Sequence, residues 1–103
     1  MISKYKINQI IKIIKDNIKP EKIILFGSYA NGNPDEHSDL DLLIVKDSDV
    51  PRYKRGKEIR KYLRGIGVPL DIIVYTKDEI DRWKNVEEAF ITQIMKNGKV
   101  LYG

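Results

Sequence analysis

Isoleucines at positions 7, 10, 11, 14 and 18 recur at helical spacing among lysines and other polar residues, which predicts an amphipathic helix over roughly residues 4–18, ending before Pro20. The pattern then changes. KIILFG (22–27) is a short apolar run rich in β-formers and stopped by Gly27, and LDLLIV (40–45) is a second run of the same kind. GVPLDIIVY (67–75) is a third, apolar on both faces apart from Asp71. Strands that are apolar on both sides need cover on both sides, which the intervening helices can supply.

Capping signatures organise the last third of the chain. Thr76-x-x-Glu79 predicts the start of one short helix, and Asn85-x-x-Glu88 predicts another that carries Phe90, Ile91, Ile94 and Met95. Gly98 stands where a C-terminal cap is expected, and KVLY (99–102) reads as a last strand. The predicted order is α-β-loop-β-α-β-α-α-β: an α/β (α+β) fold with a small mixed sheet flanked by helices, forming a single domain over 1–103.

Charge enters through one segment above all. RYKRGKEIRKYLR (52–64) sorts by helical angle, with Lys54, Lys57, Arg60, Lys61 and Arg64 on one face and Ile59, Tyr62 and Leu63 on the other. That is the pattern of a solvated face. The net charge of +4 is therefore assigned to solubility ahead of a polyanionic partner, and direct nucleic-acid binding is not expected. Arg52 and Arg55 lie nearer the apolar arc, and one of them is a candidate to reach an anionic ligand.

Composition narrows the chemistry further. The chain has no cysteine, which removes disulfides, thiolate catalysis and cysteine-based zinc sites. Its one histidine, His37, lies in a polar loop and is expected to face solvent. Any metal would have to be a hard cation held by carboxylates. No apolar run is long enough to span a bilayer and no signal-peptide pattern opens the chain, so a cytoplasmic protein is expected.

The carboxylates are placed to suit such a cation. Alternation along a strand projects Asp39 and Asp41 to one face, with Leu40 and Leu42 on the other. Asp71 interrupts a different apolar strand, where an ionised carboxylate is costly unless it sits at a sheet edge or binds a cation. Three acids at the ends of neighbouring strands would repel one another, and a divalent ion is the simplest remedy. Magnesium suits best, since it takes a few carboxylates together with water and phosphate oxygens. Upstream, the strand ending in Gly27-Ser28 can turn sharply and offer backbone N–H groups and a hydroxyl to an anion. It is not a Walker loop, because the glycine-lysine end of that motif is missing. A phosphate-binding turn facing metal-binding acids describes a nucleotide-triphosphate site.

Gly27-Ser28, ten residues, then Asp39-Leu40-Asp41, in the run GSYANGNPDEHSDLDLLIV, resembles the signature of the polymerase-β-type nucleotidyltransferase superfamily. Asp71 in VPLDIIVYT resembles its third acid, and the closing EEAFITQIMKNGKVLYG is similar to the minimal nucleotidyltransferases (MNT proteins). The resemblance implies the polymerase-β-like fold, two magnesium ions, and transfer of a nucleoside monophosphate from ATP to a hydroxyl with loss of pyrophosphate. It implies that Asp39 and Asp41 hold both ions, that Asp71 completes the site of the ion activating the acceptor, and that Gly27 and Ser28 hold the β- and γ-phosphates. It further implies a role as the antitoxin of a HEPN-domain RNase toxin, adenylylating a tyrosine on it. Two other outcomes stay open at the level of sequence: transfer to a small molecule or an RNA end, and neutralisation of a partner by binding alone.

Overall fold

The computed structural model describes residues 1–103. Ser3 caps the first helix, α1 (Lys4–Ile18), its hydroxyl accepting the Lys6 N–H at 3.1 Å. Lys19 ends it in the left-handed region (φ 54°), and Pro20, which cannot continue a helix, turns the chain into β1 (Lys22–Phe26). A one-turn helix, α2 (Ser28–Asn31), follows, and a loop then leads to β2 (Leu40–Val45). Next come α3 (Arg52–Tyr62), β3 (Leu70–Tyr75), α4 (Lys77–Trp83), α5 (Phe90–Asn97) and β4 (Lys99–Tyr102).

The sheet is mixed, in the order β3-β2-β1-β4, with β1 antiparallel to both of its neighbours and β2 parallel to β3. Alternation splits each inner strand between two cores. Ile23, Leu25, Leu40, Leu42 and Ile44 face α1 and α3, where Ile10, Ile14, Ile18, Ile59 and Leu63 meet them. Ile24, Leu43 and Val45 face the other way, against Ile91 and Ile94 of α5. No polar or charged residue is buried. No helix is long and apolar enough to cross a membrane.

The two faces are covered unequally, and this positions the site. α1 is 15 residues long and α3 is 11, whereas α5 has eight, about 12 Å of helix. The α5 face therefore stays open towards the N-terminal ends of β2 and β3.

Some local expectations hold and others are corrected. β1 stops at Phe26, as a run ended by Gly27 predicts, because Gly27 swings to φ 74°. β3 begins only at Leu70, after a connection through Gly65 and Gly67, both at φ 80°. Asn85 caps no helix: Val86 N–H bonds to the Trp83 carbonyl (2.9 Å) and Ala89 N–H to the Val86 carbonyl (3.1 Å), so successive tight turns use up this stretch and Ala89 is the N-cap of α5. The Thr76–Glu79 capping box forms as expected, with Thr76 N–H donating to Oε1 at 2.8 Å and Glu79 N–H donating to Oγ1 at 3.2 Å. Gly98 does cap α5, but at φ −75°. Its value is spatial: a Cβ there would lie 2.6 Å from Ile24 Cγ2 and 2.7 Å from the Ile94 carbonyl.

Candidate active site

The site is built where β1 ends and β2 and β3 begin. Asp35 folds the preceding loop on itself: its carboxylate accepts the His37 N–H at 2.8 Å, and its own N–H donates to Ser38 Oγ at 2.9 Å. The knot delivers Asp39 directly to the start of β2, where Leu40 N–H opens the parallel ladder by donating to the Pro69 carbonyl at 2.9 Å. From there the register aligns Asp41 with Asp71 on the neighbouring strand and with Phe26 on the antiparallel one. Asp41, Asp71 and Phe26 share the open face of the sheet.

Gly27 completes the corner. Its backbone (φ 74°, ψ −156°) lies outside the regions open to L-residues, and a Cβ would overlap the Asp41 carboxylate. Glycine is required twice here, for the turn and for the approach. α2 then starts at Ser28, and N–H groups in the first turn of a helix have no intrahelical acceptor, so those of Ser28 and Tyr29 are open to an anion beside Asp41.

Electrostatics binds the three acids into one unit. Asp41 is half-buried, and desolvation, then the charge of Asp71, then that of Asp39, raise its carboxyl above the usual carboxylate range. As the side chains stand, the three carboxylates do not close into a ligand set for one ion. What brings them together is backbone register, and their mutual repulsion is what a cation would relieve. The donor chemistry, hard oxygens carrying unrelieved negative charge, fits magnesium. Of the two alternatives open for Asp71, the sheet edge holds: β3 is an edge strand and Asp71 is exposed, so its desolvation cost is met without a cation.

Two aromatic residues that periodicity assigns to the interior form a wall in the site. Phe26 and Phe90 meet edge to face, with centroids 5.9 Å apart, and Phe90 is 61% exposed at the first position of α5. Phe90 separates two cavities. One, of about 490 Å³, is lined by Gly27, Asn31, Gln93 and Asn97; the other, of about 320 Å³, by Asp71, Arg52, Tyr53 and Tyr75. A helical apolar pattern gives no signal for this exposure, because it does not say that Phe90 stands at the first position of α5, at the open end of the sheet.

The arginines separate. Arg55 is committed to structure: its guanidinium grips Glu79 through both carboxylate oxygens and also donates to the Val50 and Val74 carbonyls. Arg52 lies over the Tyr75 ring, 4.6 Å from its centroid, at the rim of the Asp71 cavity. His37 is exposed in its loop, as expected.

A mixed sheet carrying a glycine-serine turn against an aspartate pair, with a third acid in register on the next strand, defines a nucleotidyltransferase, and residues 7–99 match the nucleotidyltransferase domain family. The chain belongs to that family and has its polymerase-β-like fold. It is 39% identical over 85 residues to a candidate protein adenylyltransferase of Methanocaldococcus jannaschii, a match spanning 78% of this chain and 83% of that one. It is 27% identical over 97 residues to the protein adenylyltransferase MntA of Shewanella oneidensis, spanning 93% and 64%. Among solved structures, a toxin-antitoxin with AMP-PNP superposes with a TM-score of 0.63 at 27% identity, over 93% of this chain and 72% of that one.

Proposed function

We infer that this nucleotidyltransferase moves AMP from ATP to a hydroxyl of a partner protein, a tyrosine of a HEPN-type RNase toxin, and acts as the antitoxin of the pair. The observation that carries the reading is the register of Asp41 with Asp71, beside a Gly27 turn that only glycine can make. Relatives named for protein adenylylation and a neighbour solved as a toxin-antitoxin with an ATP analogue support the acceptor class.

Each residue then has a task. The open N–H groups at Ser28 and its neighbour, with the Ser28 hydroxyl, take the β- and γ-phosphates. Asp39 and Asp41 would hold two magnesium ions, and Asp71 would complete the ligand set on the acceptor side; when bound, the ions supply charge neutralisation and a sharpened nucleophile. Asp71, exposed at the edge strand, can accept the proton of the attacking hydroxyl. That oxygen bonds to the α-phosphorus while the bond to the pyrophosphate oxygen breaks. The Phe90 wall sets the nucleotide cavity on the Gly27 side and the acceptor cavity on the Asp71 side. Positioning and charge carry transfers of this type, so a short chain suffices when a folded partner brings the acceptor.

The test is co-expression with the product of the neighbouring reading frame, followed by intact-mass analysis. An AMP-sized increment on the partner's tyrosine supports the reading. An increment found only on RNA or on a small hydroxylated compound refutes it.

A further inference from the structure

At the opposite end of the sheet lies a second cavity, of about 460 Å³, with no part in the site described above. It opens between α3 and the turn that follows β2, where Lys46, Lys54, Lys57, Lys61 and Arg64 outnumber the two acids of its lining, Asp47 and Glu58. From Asp41 to Lys46 is five strand residues, roughly 17 Å.

The charge here is concentrated. Residues 52–64 contain seven lysines and arginines against one acid, so this segment is +6 where the whole chain is +4 and the remaining residues sum to −2. Solubility alone calls for no such localisation. The structure also divides the basic face expected from helical angle. Arg60 leaves it, folding over Gly56 to donate to the Ile72 carbonyl at 3.1 Å, and Arg55 is spent on Glu79. The cations left on the rim take part in no ion pair, since the chain's three salt bridges are Lys12–Asp16, Arg55–Glu79 and Lys96–Glu87. Next to Lys54, whose ammonium lies 5.7 Å from its ring centroid, Tyr53 is 82% exposed on the flank of α3 that also borders the Asp71 cavity.

We propose that this cavity and the α3 face around it bind the phosphate backbone of single-stranded nucleic acid. Lysine is depleted at protein–protein interfaces, whereas nucleic-acid interfaces are strongly positive, and an exposed tyrosine beside a lysine, as Tyr53 is beside Lys54, supplies the kind of stacking platform that single strands use. The sequence pattern alone assigned this face to solvent. Its concavity and the lack of ion pairs among its lysines reverse that assignment.

The test is fluorescence anisotropy with a fluorescein-labelled 20-nucleotide uridine RNA and the full chain. Binding in the micromolar range is expected at low salt, with a log–log salt slope of about −3 if Lys54, Lys57, Lys61 and Arg64 each neutralise a phosphate at ~0.7 per contact. The doubles Lys57→Glu/Lys61→Glu and Lys57→Gln/Lys61→Gln should each weaken binding at least tenfold and flatten the slope, while their thermal melts and nucleotidyl transfer stay as in the parent. Unchanged RNA affinity in both doubles overturns the proposal. So does displacement of the RNA by poly-glutamate at equal charge concentration, which would mark the face as a dock for an acidic protein.

Discussion

The Asp41 carboxylate fills the space that a side chain on Gly27 would need: a Cβ there would lie only 3.0 Å from Asp41 Cγ and would overlap the oxygen beyond it. The Gly27 turn and the Asp41 carboxylate are thus one packed unit, set by the antiparallel register that puts Phe26 opposite Asp41.

Gly27→Ala should damage both halves of that unit. The residue would be held at φ 74° and its methyl driven into Asp41, so a stability loss of about 1–3 kcal/mol is expected together with loss of transfer. Denaturant melts beside a labelling assay check this; a variant that melts and labels like the parent contradicts the packing.

Asp41→Asn should stabilise the fold while abolishing activity. In an acid whose folded pKa is raised, ionisation costs stability, a cost that sets in as pH rises above the ordinary 3.8 and is complete above the folded value. The variant should melt a few degrees above the parent at pH 7, and the difference should vanish below about pH 4. Thermal melts across that range measure it. Adding magnesium should raise the melting temperature of the parent and leave the variant unmoved.

Arg55 and Glu79 lock α3 to the start of α4, with the Arg55 side chain only 8% exposed. The guanidinium, helped by the Thr76 amide, holds the Glu79 carboxyl at about 2 against an ordinary 4.5. A depressed acid contributes stability that is full above 4.5 and is lost as pH falls through about 2. Glu79→Gln should therefore flatten the acid limb of the stability curve in that window, and Arg55→Ala should cost about 3 kcal/mol by leaving a partly buried carboxylate unpaired. Urea melts from pH 2 to 7 read both effects.

Phe90→Ala opens the wall between the two cavities. Because Phe90 is largely exposed, the stability cost should stay near 1 kcal/mol, the worth of its edge-to-face contact with Phe26, while KM rises several-fold for nucleotide and acceptor alike. Steady-state kinetics with each substrate varied in turn decides this.

Much of this architecture was legible in the residues. The bounds of α1, β2 and β4 follow from the isoleucine spacing and two short runs rich in apolar residues, since period and run length are local properties. The pairing of Asp41 with Asp71 was foreshadowed by one acid in each of two apolar strands, although its register is a tertiary fact that only sheet order fixes. Asn85 misled because Asn-x-x-Glu reports local capping preference, whereas turns running on from α4 had already taken that backbone. Neither the edge position of Asp71 nor the exposure of Phe90 could be read locally: each depends on which strand ends outermost and how far α5 reaches.

The central claim is that Asp39, Asp41 and Asp71 form one catalytic centre for adenylyl transfer. Its most direct test is incubation of the chain and its partner with magnesium and α-labelled ATP, beside the variants Asp39→Asn, Asp41→Asn and Asp71→Asn. Label should pass to the partner protein with the parent chain and fall at least a hundredfold in each variant, with γ-labelled ATP giving none. Undiminished labelling by any of the three variants would contradict the account.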